Sequence, residues 1–175
     1  MIGFSVGGLL PLYLSDLPPE IERRVHLWLV DVYHPEAFRG AEARVIESVR
    51  NALRHPLRVP LALIDTLRIS RRLLKKNLDK GEELGLAMPE IERLRDELHR
   101  HRVRPWRGSA TIFLAGRKPI WQPHFDEREI NGMGPLLAGE TRRVVIPHLH
   151  QDIPLRGARR IARVISDDLR RKDTP

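Results

Sequence analysis

The chain has 175 residues, 41% of them apolar and 31% charged, and its 31 Lys and Arg outnumber 23 Asp and Glu for a net charge of +8. An apolar share near the globular average can bury roughly two-thirds of the unfolded surface, which excludes a disordered tail. Cysteine is absent, so disulfides, thiolate metal sites and cysteine nucleophiles are excluded as well.

Met1 to Leu14 is apolar but broken by Gly7, Gly8 and Pro11, and no apolar run approaches the roughly 20 residues of a membrane span. The segment lacks the basic leader of a secretory signal, so the expected address is cytoplasmic. Residues 1–16 read as an apolar N-terminal arm that packs on its own domain or, through residues 1–14, on a protein partner or a second copy.

Proline then marks helix starts, because its fixed φ suits a first turn and its missing N–H is not needed there. Pro18 and Pro19 predict a helix with Ile21, Val25, Trp28, Leu29 and Val32 on one face, ending near Pro35. From Pro35 to Pro56 a second helix carries Phe38, Ala41, Val45, Ile46, Val49, Ala52 and Leu53. Pro60 opens a third, with Leu63, Leu67, Leu74 and Leu78 as its stripe, and Pro89 a short fourth, with Ile91, Leu94 and Leu98. Short connections favour antiparallel neighbours, so residues 17–103 read as a bundle of three or four helices.

After His101 the period becomes extended. Ala110 to Leu114 is a β-type run, and Gly116 to Pro119 can reverse the chain into Ile120-Trp121-Gln122 as a hairpin. Residues 125–140 read as a long loop, Arg142 to His148 as a third strand placed at an edge by Pro147. Pro154 opens a last helix with Leu155, Ala158, Ile161, Ala162, Ile165 and Leu169 as its stripe. The expected fold class is α+β: an N-terminal bundle of three or four helices, then a small antiparallel sheet and a C-terminal amphipathic helix, with 104–175 forming one compact unit with 17–103.

Charge is uneven: residues 1–103 hold 17 basic against 15 acidic side chains, residues 104–175 hold 14 against 8. At about 100° per residue, Arg156, Arg159, Arg160, Arg163 and Arg170 fall within one sector opposite the apolar stripe, a ridge suited to a phosphate backbone. Arg68, Arg71, Arg72 and Lys75 project from one side of the third helix. Trp106 between Arg104 and Arg107, and Trp121 after Arg117 and Lys118, could stack bases, although a Trp in a small domain also serves as a core anchor. The leading expectation is thus a non-enzymatic protein that binds nucleic acid, DNA or RNA, or a basic subunit of a nucleoprotein or virion-like assembly. A structural or adaptor subunit using the N-terminal arm and the 125–140 loop is the alternative.

A third expectation is a metal-dependent hydrolase or nuclease. His148 and His150 share a face if the chain is extended there, and His124 and Asp152 could complete a site for a divalent metal; no other cofactor is expected. The bland reading of Asp152 is a cap for the helix opened by Pro154. No helical His-Glu-x-x-His motif or phosphate loop is present. Ser5, Ser15, Ser48, Ser70, Ser109 and Ser166 are read as lacking the strand-to-helix elbow that exposes a nucleophile.

Overall fold

Four strands lie side by side in one sheet in the computed structural model, which describes residues 1–13, 17–34, 49–50, 52–54, 56–79, 104–118 and 127–172. They are β1 (Ile2–Phe4), β2 (Leu27–Val30), β3 (Ala110–Arg117) and β4 (Thr141–Leu149). Their order in the sheet is their order in the chain, and every pairing is parallel. The expected antiparallel sheet is therefore replaced by an all-parallel one. A tight turn cannot join parallel neighbours, which need crossovers of a dozen residues or more; residues 5–26, 31–109 and 118–140 supply them. The predicted hairpin partner, Ile120 to Gln122, lies outside the described residues, and β3 pairs with β2 and β4 instead.

The helical bundle is also overturned. Pro18 and Pro19 do open a helix, but α2 (Pro19–Glu22) lasts four residues and Leu27-Trp28-Leu29-Val30 continues as a strand. The i, i+4, i+7, i+8 spacing from Ile21 to Val32 coincided with a four-residue apolar run. A parallel strand buried on both faces presents such a run, without the alternation of a half-exposed strand. β3 shows the same signature, with Ala110 through Ala115 all buried. The Pro35 to Pro56 helix lies largely outside the described residues and the Pro89 helix wholly so. Among the described residues no helix is long and apolar enough to cross a membrane.

The chain divides into two compact units, one of Met1–Tyr33, Val103–Arg117 and Phe125–Pro175, the other of His34–Arg102 and Lys118–His124. In the first, the apolar leader forms β1, a 3-10 turn (Ser5–Leu9) and α1 (Leu10–Tyr13), with Leu9 and Leu12 buried. One core cluster joins Val30, Phe113, Ala115, Val144 and Ile146 of the sheet to Ile153 and Ile161. Phe113 and Ile146 are fully buried, and each such side chain contributes about 1.5–3 kcal/mol.

Ile153 and Ile161 belong to the segment after β4: a 3-10 turn (His150–Asp152), a π-turn (Ile153–Gly157) and a final helix, which we call α4 (Ala158–Lys172). This is the expected C-terminal amphipathic helix, with its stripe rotated. Ile161, Val164 and Ile165 pack on the core, whereas Leu155, Ala158, Ala162 and Leu169 are exposed. Gly157 permits the close approach of this segment to the sheet, since a Cβ there would stand 2.9 Å from Ile146 Cγ2.

The second unit contains the long helix α3 (Val59–Asp79) where Pro60 predicts it, after a 3-10 turn at Pro56–Arg58. Among its described side chains Ala62 and Asp65 are buried, while Leu63 and Leu67, read as part of the inner stripe, are exposed; the side chains of Leu74 and Leu78 lie outside the described set.

Candidate active site

In an open parallel sheet, the chain leaves every strand at the same edge, so residues just past the strand ends gather there whatever their distance in sequence. Phe4 pairs with Val30 and Val30 with Phe113, so Ser5 and Asp31 are the first residues past the paired ends of β1 and β2. Ala115 pairs with Ile146 and Arg117 with Leu149, and His150 follows immediately. Ser5, Asp31 and His150 thus stand at the carboxyl edge of one sheet.

Ser5 occupies a strained turn. Phe4 is extended at φ −116° and ψ 136°, Ser5 swings to φ 53°, and a helical turn begins at once. Positive φ is uncommon outside glycine and costs free energy that the surroundings must enforce. Two glycines let the turn pack this closely: a Cβ on Gly3 would stand 2.4 Å from Gly8 Cα, and one on Gly8 would stand 2.1 Å from Val32 Cγ2. The sequence Gly3-Phe4-Ser5-Val6-Gly7 packs its helical turn directly against its strand, leaving Ser5 half-exposed at the apex. Burial raises the phenol pKa of Tyr13, the last residue of α1.

Asp31 ends β2 with its N–H donating to Phe113 O at 2.7 Å and then turns away at φ 46°. Its carboxylate is fully buried. Oδ1 accepts the Ala115 N–H at 2.8 Å and Asn131 Nδ2 at 3.1 Å; Oδ2 faces His150 Nδ1 at 2.7 Å. A carboxylate only accepts, so the proton of this last bond sits on Nδ1 of the imidazole, leaving Nε2 to take or give a proton. The His150 ring also stacks on Phe4, with centroids 4.8 Å apart and planes 16° from parallel. One imidazole is therefore gripped by the acid on one side and by the residue preceding Ser5 on the other. Such a pair can draw a proton from a neighbouring hydroxyl and hold the resulting positive charge.

The residues singled out from the sequence fall elsewhere. Arg156, Arg159, Arg160, Arg163 and Arg170 are all exposed, as are Arg68 and Arg71; Arg72 and Lys75 lie on α3, their side chains outside the described set. Trp106 is 1% exposed, with Nε1 donating to Ser109 O at 3.4 Å. It is a core anchor and offers no ring face to a base. Trp121 and His124 lie outside the described residues. His148 belongs to β4, but the strand ends at Leu149 and His150 enters the following 3-10 turn, so the alternation that would align the two imidazoles is lost. Asp152 stands at the N-cap position of the π-turn without a capping side-chain bond. Among the described residues no group of three or more His, Asp and Glu is arranged to hold a metal ion.

The sequence reading missed Ser5 and Asp31 and gave His150 a different partner. An apolar arm offers no strand-to-helix elbow, so the sequence alone gives Ser5 no role. The missed signal is Gly3-x-Ser5-x-Gly7 directly after an apolar pair, followed by a second glycine, Gly8. No protein-family model matches the chain, and no curated protein or solved structure does either.

Proposed function

We propose that this chain carries a serine hydrolase site: Ser5 as nucleophile, His150 as general base and acid, and Asp31 as the group that orients the imidazole. The observation that carries the reading is the Asp31–His150 hydrogen bond, on a ring stacked against Phe4 beside a positive-φ serine. A serine on a sharp strand-to-helix turn over a parallel sheet, with partners following in the order Ser, Asp, His, is also the arrangement of α/β-hydrolases.

The chemistry follows from the roles. Ser5 Oγ attacks the carbonyl carbon of an acyl substrate while its proton passes to His150 Nε2. Asp31 keeps the other ring proton on Nδ1 and stabilises the imidazolium without itself being protonated. Collapse of the tetrahedral adduct breaks the bond to the leaving group, which takes the proton from Nε2, and leaves an ester on Ser5. Water then attacks that ester with His150 again as base, releasing a carboxylic acid and restoring Ser5. The Val6 amide, first in the turn after the nucleophile, corresponds to the oxyanion-hole donor of such sites. Hydrolysis of p-nitrophenyl butyrate tests the assignment: Ser5→Ala and His150→Ala each lower kcat/KM about a hundred-thousandfold or more. Full activity in either variant would overturn it.

A second reading concerns another surface. Arg156, Arg159, Arg160 and Arg163 are exposed on the outer side of the C-terminal segment, which supports contact with a nucleic-acid backbone. On this reading, binding to mixed DNA and RNA weakens steeply with salt, and replacing the four by Ala flattens that dependence. No binding at low salt, or an unchanged slope, would dismiss it.

A further inference from the structure

The loop before β4 supplies a residue to the edge that the triad does not use. Asn131 is 2% exposed, and its Nδ2 donates both to Asp31 Oδ1 at 3.1 Å and to Val32 O at 3.2 Å. One amide therefore ties the carboxylate to the backbone one residue beyond it. The loop bends sharply to deliver it: Ile130, Asn131 and Gly132 take φ of 42°, 58° and 73° in succession. A β-branched residue resists that region, so the run persists only where the surroundings over-determine it. Two of the contacts made from this run go from Asn131 to Asp31 and to the Val32 carbonyl.

We propose that Asn131 is a positioning residue for the proposed triad, acting through Asp31 and touching neither substrate nor reacting atoms; the inference rests on the serine hydrolase reading. The physical reason is torsional. The bond to His150 Nδ1 leaves from Oδ2, and a carboxylate held only at Oδ2 can rock about its Cβ–Cγ bond. Two donors on Oδ1, the Ala115 amide from β3 and Asn131 from the loop, stop that rotation from two directions. Both donors are neutral amides, so neither brings a positive charge to compete with the imidazole for the carboxylate.

The test uses Asn131→Gly in the full chain, because glycine adopts φ 58° without a Cβ penalty and the variant isolates loss of the amide from backbone strain. Expected is a fall in kcat of about tenfold to a hundredfold, with KM nearly unchanged, short of the roughly ten-thousandfold loss seen when a triad acid is itself changed. Asn131→Asp, which keeps the shape but sets a second acceptor against Oδ1, falls at least as far. The decisive measurement is the double variant: in an Asp31→Ala background the Asn131→Gly effect disappears, because its route to the imidazole is gone. Wild-type kcat in Asn131→Gly, or an equal loss with and without Asp31, would overturn the proposal. Should the glycine variant not fold, Asn131→Ser, which keeps one donor, is read through the same cycle. Retention of activity in Ser5→Ala would instead defeat the hydrolase reading itself, so the two failures are distinguishable.

Discussion

The two edges of the parallel sheet carry similar side chains to different ends. At the amino edge, His26 hydrogen-bonds through Nδ1 with Ser109 Oγ and through Nε2 with Thr111 Oγ1, and Thr111 donates to Asp168. Asp168 in turn pairs with Arg142, so its charge is matched by a guanidinium. At the carboxyl edge, His150 is bonded to Asp31, whose other oxygen receives only neutral donors. All four positive-φ non-glycine residues among those described, Ser5, Asp31, Ile130 and Asn131, stand at this second edge or in the loop that serves it. A histidine with an aspartate nearby is therefore not enough to mark a site. What separates the two is strain held in place together with a buried carboxylate whose ionic partner is an imidazole.

Substitution at the two aspartates should break that comparison if it is wrong. Of the two, Asp31→Asn has the larger effect: it forces the wrong tautomer on His150 and lowers kcat by about ten-thousandfold while the chain stays folded. Asp168→Asn should leave the rate of ester hydrolysis near wild type and cost about 1 kcal/mol of stability, because Arg142 is half-exposed and water screens the pair. Steady-state kinetics beside thermal unfolding separates the two, and a rate loss at Asp168 matching that at Asp31 would dissolve the distinction between the edges.

Much of the first unit was legible in the sequence, though its topology was not. The Ala110 run, the strand through Arg142 to His148 and the C-terminal helix all appear in place, because each has a local pattern strong enough to survive tertiary context. Strand direction is a different matter: nothing in Ala110 to Leu114 says whether its neighbour runs with it or against it, since that depends on distant crossovers. Leu27 to Val30 was lost to a helical period because buried strands and buried helix segments look alike over four apolar residues.

The site was hidden by the same error. Ser5 is recognisable as a candidate nucleophile only when Ile2 to Phe4 is known to be a strand and Ser5 to Leu9 a helical turn. Asp31 has no motif of its own, and the role proposed for it depends on its place at the end of a strand whose sequence carries a helical period. Asn131 sat in what looked like a plain Asn-Gly loop. His150 was noticed as chemistry, but beside His148 rather than Asp31, which lies 119 residues earlier.

The most direct measurement of the central claim is site-mapped labelling with a fluorophosphonate, which forms a covalent adduct only with a serine activated by its neighbours. One adduct is expected, on Ser5, lost in Ser5→Ala and strongly slowed in His150→Ala. Labelling at another serine, or none in a folded and soluble sample, would contradict it.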